Sequence, residues 1–169
     1  MAHITFITGG QRSGKSRFAQ ELALSKSQNP IYLATSRVWD EGHAARIERH
    51  KLDRGSQWQT IEEEKDISKL KLHGRTVVMD CVTLWLTNFF YDMNSDVDQV
   101  LSRAKKEFDD FSKQDFNAIV ISNEIGLGGH PTNELMMKFT DLQGWTNQYI
   151  ASKADDVYLM VSGIPVKIK

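Results

Sequence analysis

Cysteine is nearly absent from this 169-residue chain. Cys81 stands alone, which excludes an intramolecular disulfide and fits a reducing compartment. Proline is scarce as well, at three residues, and no stretch is rich in Pro, Gly or Ser. With no such linker, internal repeat or low-complexity tract, one domain over residues 1–169 is expected, long enough for a substantial core. An excess of one charge is also missing. The 21 Lys and Arg against 22 Asp and Glu leave a net charge of −1, so no global pull toward nucleic acid or a membrane surface is expected. No apolar run approaches the length that crosses a bilayer. The apolar N-terminal run is short and flows into a glycine-rich loop, so no signal peptide and a cytoplasmic location are expected.

What is present is concentrated in residues 4–24, ITFITGGQRSGKSRFAQELAL. An apolar, β-branched run meets Gly9, Gly10, Gln11, Arg12, Ser13, Gly14, Lys15 and Ser16, and a helical pattern with Phe18, Ala19, Leu22 and Ala23 follows. Strand, glycine-rich loop and helix in that order fit G-x-x-x-x-G-K-[ST] in full. Glycines let successive backbone N–H groups curl around a phosphate, and the helix N-terminus adds partial positive charge. Lys15 then reaches the β and γ phosphates, and the Ser16 hydroxyl ligates Mg²⁺. A chance glycine turn before a helix is the alternative, and the strand and helix around the motif argue against it.

The rest of the chain alternates strands and helices. Residues 31–35 (IYLAT) read as a second buried strand, which with the first helix makes a right-handed parallel unit. Residues 41–54 are helical, with His43, Arg46, His50 and Arg54 on one face and no wide apolar stripe. Such a helix buries little. From periodicity alone His50 reads as a solvated surface histidine rather than a functional one. Residues 58–61 read as a short strand, and Glu62 to Lys65 as a solvated helix start. Residues 75–80 (RTVVMD) are a buried strand ending in Asp80, which either holds Mg²⁺ or caps the next helix. Residues 81–91 form a buried helix. Ser95 and Asp98 stand at capping-box spacing before another, with Val97, Val100, Leu101, Ala104, Phe108 and Phe111 on its apolar face. Residues 117–122 are a further strand, followed by Asn123, Glu124 and a glycine-rich loop at a strand's carboxyl end, where open α/β sheets bind ligands. Thr132 is placed to cap a long last helix. Residues 157–161 form the last clear strand, and the tight Ser162-Gly163 turn returns an antiparallel edge strand carrying Pro165. The expected fold is α/β, a P-loop NTPase (RecA-like) with a mostly parallel sheet, helices on both faces and a C-terminal antiparallel edge strand.

Taken together, TGGQRSGKSRFAQELA, YLATS, ARIERHK, VVMDCVTLWLTN, VISNEIGLGGHP and the terminal ADDVYLMVSGIPVKIK make the chain resemble a known family along its whole length. That family is the bifunctional adenosylcobinamide kinase and adenosylcobinamide-phosphate guanylyltransferase of cobalamin biosynthesis. The resemblance implies two reactions. The aminopropanol hydroxyl of adenosylcobinamide first takes the γ-phosphoryl group of a nucleoside triphosphate. GTP then gives GMP to that phosphate through a phosphoramidate on the histidine matching His50, forming adenosylcobinamide-GDP and pyrophosphate. It implies nucleotide contacts from residues 9–16 with Lys15 catalytic, from Thr35, Ser36, Arg37, Glu62, Asp80 and Glu124, and from Arg46, Arg49 and Lys51 on the basic helix. Mg²⁺ on Ser16 and Asp80, ATP and GTP as substrates, and a homotrimer follow from the same likeness.

Two departures stand out. Asp80 stands where the family commonly has glutamate, a shorter carboxylate that keeps the metal chemistry. Met137, Thr140 and Trp145 stand where similar proteins usually carry arginines, leaving Lys138, or Arg12 in the loop, as the cation in reserve. The competing functions are a P-loop kinase or nucleotidyltransferase acting on another small alcohol or phosphate, and a non-catalytic nucleotide-binding regulator. Neither a simple kinase nor a binding module needs a histidine nucleophile.

Overall fold

The computed structural model describes residues 1–38 and 41–169; Trp39, Asp40 and the side chains of His43, Arg46, Ile47, His50, Lys51 and Asp53 lie outside the described residues. The chain begins with β1 (His3–Gly9), α1 (Lys15–Lys26) and β2 (Ile31–Ala34), then α2 (Glu41–Asp53), β3 (Gln59–Glu62) and β4 (Thr76–Asp80). It continues with α3 (Val82–Asp92), α4 (Val97–Ser112), β5 (Asn117–Ile121), α5 (Glu134–Lys153), β6 (Asp156–Val161) and β7 (Ile164–Lys167). The strands make one sheet in the order β3-β2-β4-β5-β1-β6-β7. Every neighbouring pair is parallel except β6 with β7, which runs antiparallel through the turn at Ser162 and Gly163. The expected sheet and edge strand are both found.

Alternation along the strands builds two apolar layers. On one face Ile4, Phe6, Leu33, Val77, Met79, Ala118 and Val120 pack with α3, α4 and α5, around the fully buried Trp85, Phe108 and Phe111. On the other, Ile7, Val78, Ile119 and Ile121 receive Ala19 and Ala23 of α1. The register places Phe6 beside Val120 and Val120 beside Met79, so the three central strands share one row of large side chains. Removing one of the buried aromatics is expected to cost about 3–5 kcal/mol. Trp85 also donates its indole N–H to the Lys65 carbonyl at 3.1 Å, so its polar edge is satisfied.

Three local expectations shift. Asp96, not Ser95, caps α4: its carboxylate accepts from the Gln99 amide at 3.0 Å while Ser95 turns with φ of 61°. Gln99 also donates its side-chain amide to the Asp96 carboxylate at 2.8 Å, so one residue holds the cap twice. Asn133, not Thr132, caps α5, accepting from the Met136 amide at 2.9 Å. Residues 62–65 do not start a helix. Glu62 ends β3, the Glu63 carboxylate accepts from the amides of Lys65 and Asp66, and Glu64 turns to Arg37. A carboxylate bonded to its own downstream amides forms a local turn in place of a helical ladder.

Parallel strands place all their carboxyl ends on one edge. The loops after β1, β2, β3, β4 and β5 therefore meet there, and the site is built from them.

Candidate functional site

The loop between β1 and α1 is shaped by contacts only glycine allows. A Cβ on Gly9 would stand 2.8 Å from Ser13 Oγ and 2.9 Å from the Met160 carbonyl. Gly14, at α1's amino end, has φ of 95°, and a Cβ there would lie 3.1 Å from the Gly163 Cα. The Gly163 amide donates to the Ser13 carbonyl at 2.9 Å, so the β6–β7 turn holds the loop from behind. Residues 12–17 rim a hollow of about 430 Å³ with Arg12 exposed on its edge.

Lys15 is buried and donates its ammonium to the Gly10 carbonyl at 2.6 Å. Burial lowers its pKa, and electrostatic interaction with Cys81 and the Asp80 carboxylate partly offsets that. A buried ammonium at the end of a curled backbone is set to exchange one carbonyl for a polyphosphate. Ser13 Oγ is buried with no hydrogen-bond partner among the described residues. The loop thus carries an unspent donor.

Across the edge, Asp80 gathers two hydroxyls. Ser16 donates to its Oδ2 at 3.4 Å, and Tyr32 donates to the same oxygen. A hydroxyl beside a carboxylate at the foot of a phosphate loop is a hard-oxygen pair that fits Mg²⁺. Among the described residues no side-chain bond from Asp80 caps α3, whose N-cap position belongs to Cys81. Burial and the neighbouring Asp80 push the Cys81 thiol up to about 12, so it is inert as a nucleophile near neutrality.

Glu124 joins the same group from the segment after β5. Its amide donates to the Gly9 carbonyl at 3.0 Å, and its Oε1 accepts from Thr8 Oγ1 at 2.7 Å. The Asn147 side-chain amide adds a bond to Oε1 at 3.3 Å. Behind it Ser122, Gln143 and Asn147 form a buried network, with Ser122 donating to Asn147 at 2.6 Å and Gln143 donating to both.

The structure therefore brings Gly9, Gly10, Gln11, Arg12, Ser13, Gly14, Lys15, Ser16, Asp80 and Glu124 to one edge. Thr35 is beside them, but its hydroxyl is committed to the Cys81 carbonyl at 2.9 Å. Ser36 bonds the Arg37 carbonyl. Arg37 itself is clamped, its fork on Asp92 at 2.9 Å and its Nε on Glu64 at 2.8 Å. Those bonds, to Asp92 first, raise its pKa and hold Asp92 well below the usual carboxylate range. Glu62 and Arg49 are exposed on β3 and α2. The side chains of His50, Arg46 and Lys51 lie outside the described residues, though all three backbones are in α2. None of that helix's described side chains is buried, as its weak apolar stripe led us to expect. Lys138 pairs with Glu134 at 2.9 Å, and Met137 and Trp145 are about half exposed.

Sequence reasoning missed Tyr32, which read as a core strand residue, and Arg54, which is buried over the Tyr32 ring. It also missed Thr8 and the Asn147 network, whose members come together only through the β1–β5 pairing and α5. The single available signal was polar residues at buried positions of α5.

Residues 5–168 match the family model described as cobinamide kinase / cobinamide phosphate guanyltransferase. The bifunctional adenosylcobalamin biosynthesis protein CobU of Escherichia coli is 36% identical, the match covering 96% of this chain and 98% of that protein. Its namesake from Salmonella typhimurium is 33% identical over the same shares. The bifunctional adenosylcobalamin biosynthesis protein CobP of Pseudomonas aeruginosa is 34% identical, covering 96% and 95%. A weaker likeness, with a TM-score of 0.41 and 15% identity over 99% of this chain and 78% of the other, runs to the flagellar accessory protein FlaH of Methanocaldococcus jannaschii.

Proposed function

The chain belongs to the cobinamide kinase / cobinamide phosphate guanyltransferase family, and from that premise we propose that it acts twice on one corrinoid. It phosphorylates the aminopropanol hydroxyl of adenosylcobinamide with a nucleoside triphosphate. It then transfers GMP from GTP to that phosphate, yielding adenosylcobinamide-GDP and pyrophosphate on the way to cobalamin. ATP and GTP are both substrates. The protein acts as one domain assembled in a homotrimer in the cytoplasm.

The observation that carries this reading is the meeting of the phosphate loop, Asp80 and Glu124 on one sheet edge, in a chain that matches the family almost end to end. Loop amides and the α1 amino end receive the phosphates, Lys15 leaves the Gly10 carbonyl for the β and γ oxygens, and Arg12 covers the outer side. Ser16 and Asp80 would hold Mg²⁺, directly or by water, and the ion would supply charge neutralisation on the transferring group. In the second reaction a neutral His50 imidazole nitrogen attacks the α-phosphorus. The bond to the β-phosphate breaks, and pyrophosphate leaves with its charge offset by Arg46, Arg49 and Lys51. An oxygen of the corrinoid phosphate then attacks the same phosphorus and releases the histidine. A helix with no buried side chain among its described residues suits a nucleophile that must swing to the loop.

The test is incubation with α-labelled GTP, with and without adenosylcobinamide. Label that stays on the denatured protein, acid-labile and base-stable, together with corrinoid turnover, is the expected result. A protein that neither takes label nor consumes adenosylcobinamide overturns the reading.

A further inference from the structure

We propose that Glu124 is the base for the kinase step and that the cavity beside it receives the hydroxyl-bearing arm of the acceptor. This rests on the functional reading above and assigns within it a subsite and a catalytic residue.

The cavity measures about 640 Å³ and opens between the first turn of the phosphate loop, Gly10 and Gln11, and the segment Glu124, Ile125 and Leu127 after β5. Its position fixes what it can hold. Gly10 is the residue whose carbonyl Lys15 occupies, and Lys15 is the group that reaches the β and γ phosphates. The cavity therefore borders the transferable end of the nucleotide, away from the hollow along residues 12–17. Its size admits an arm, and a corrin ring must stay outside. Leu127, 75% exposed at the mouth, offers that ring an apolar seat.

Glu124 is built as a base. Its Oε1 takes the Thr8 and Asn147 donors, and no described residue bonds its Oε2. One carboxylate oxygen is thus anchored and the other is spare at the cavity wall. The anchor is stiff, because Asn147 is itself fixed by Ser122 and Gln143, all buried. A carboxylate facing a γ-phosphate repels it unless a proton donor stands between them. The acceptor hydroxyl is that donor. In the step, the hydroxyl oxygen forms a bond to the γ-phosphorus and the bond from that phosphorus to the β–γ bridging oxygen breaks. The nucleoside diphosphate leaves with the bridging oxygen, and the hydroxyl proton goes to Glu124 Oε2 and then to water. Guanylyl transfer needs no such base, since its acceptor is a phosphate oxygen that is already ionised.

The two reactions separate the roles. Glu124→Gln keeps an oxygen for the Thr8 donor and loses the basic one. Adenosylcobinamide phosphorylation should fall about 100-fold or more in kcat. Guanylyl transfer to supplied adenosylcobinamide phosphate should fall far less, so the ratio of the two rates drops by on the order of 100-fold. Leu127→Glu, at an exposed position, should raise the KM for adenosylcobinamide roughly tenfold with the nucleotide KM unmoved. Melting curves matching the wild type establish that both variants fold. Phosphorylation at the wild-type rate in Glu124→Gln overturns the assignment. An equal loss of both reactions also overturns it, placing Glu124 on the shared nucleotide. An unchanged corrinoid KM in Leu127→Glu removes the subsite. A wild-type protein with neither activity overturns the functional reading, and this inference with it.

Discussion

The Arg54 guanidinium lies 3.5 Å from the centre of the Tyr32 ring, and the Tyr32 phenol in turn donates to Asp80. Arg54 is only 9% exposed, and its Nε has no hydrogen-bond partner among the described residues. The ring face is what compensates the buried charge, a contact of about 2 kcal/mol when water is excluded. A chain of contacts therefore runs from the end of α2, four residues past His50, to the carboxylate beside the phosphate loop. Burial and the adjacent Asp80 raise the Tyr32 pKa, so the phenol stays a donor throughout the working range.

This relay makes the first prediction. Tyr32→Phe should cost about 1–2 kcal/mol in urea unfolding, because Asp80 loses a donor in a half-buried place. Arg54→Leu should slow guanylylation severalfold more than phosphorylation, since it frees the end of the helix that carries His50. Equal slowing of both reactions in Arg54→Leu would reduce the residue to packing.

Lys15 gives a prediction of opposite sign for stability and for activity. Its folded pKa is lowered, chiefly by burial. A depressed lysine pKa is a stability penalty, present in full below the folded value and lost as pH rises through the unfolded one. Neutral pH is within the penalised range. Lys15→Met should therefore melt at or above the wild type without nucleotide, while losing both activities by several kcal/mol of transition-state stabilisation. The loss should appear in kcat for each reaction. Guanylylation at the wild-type rate would show that the loop does not serve both steps.

How much of this was legible before the fold is clear from particular residues. The loop could be read because its eight residues act together and stand together in the sequence. The strands could be read as short apolar, β-branched runs such as Val77, Val78 and Met79, which are apolar throughout because they pack into both layers. Caps were displaced by one residue, Ser95 for Asp96 and Thr132 for Asn133, because neighbouring polar residues satisfy the same pattern and only the turn decides between them. The support of Glu124 was not legible. Thr8 and Asn147 lie 116 and 23 residues away, joined by a strand pairing that no local pattern records. Tyr32 was hidden for a different reason: a phenol in an apolar strand reads as core until the carboxylate it bonds is placed.

Asp80 separates metal binding from helix capping. Asp80→Asn removes charge while keeping an oxygen for Ser16 and Tyr32. Fold stability should move by less than about 1 kcal/mol, because no α3 cap bond depends on it. The Mg²⁺ concentration for half-maximal rate should rise severalfold in both reactions and kcat should fall. A Mg²⁺ titration that overlays the wild type would leave Asp80 a structural acceptor only.

His50 carries the sharpest separation. His50→Ala should abolish the covalent guanylyl label and the guanylyltransferase reaction, yet leave phosphorylation of adenosylcobinamide measurable. The helix that holds it lacks the apolar stripe that would explain it as packing, and none of its described side chains is buried. Attack on the α-phosphorus requires a group unprotonated near neutrality, which histidine is and arginine is not. The rival thiol, Cys81, is buried and pushed up to about 12. Phosphorylation uses no enzyme nucleophile, because the substrate hydroxyl attacks the γ-phosphorus itself. Two assays on one variant decide the matter: retention of label from α-labelled GTP, and formation of adenosylcobinamide phosphate. Persistent label in His50→Ala would move the nucleophile, with His43 and His130 next in line. Loss of both activities in a protein that melts normally would place His50 in a nucleotide site common to the two steps, and the division of labour between loop and helix would fall.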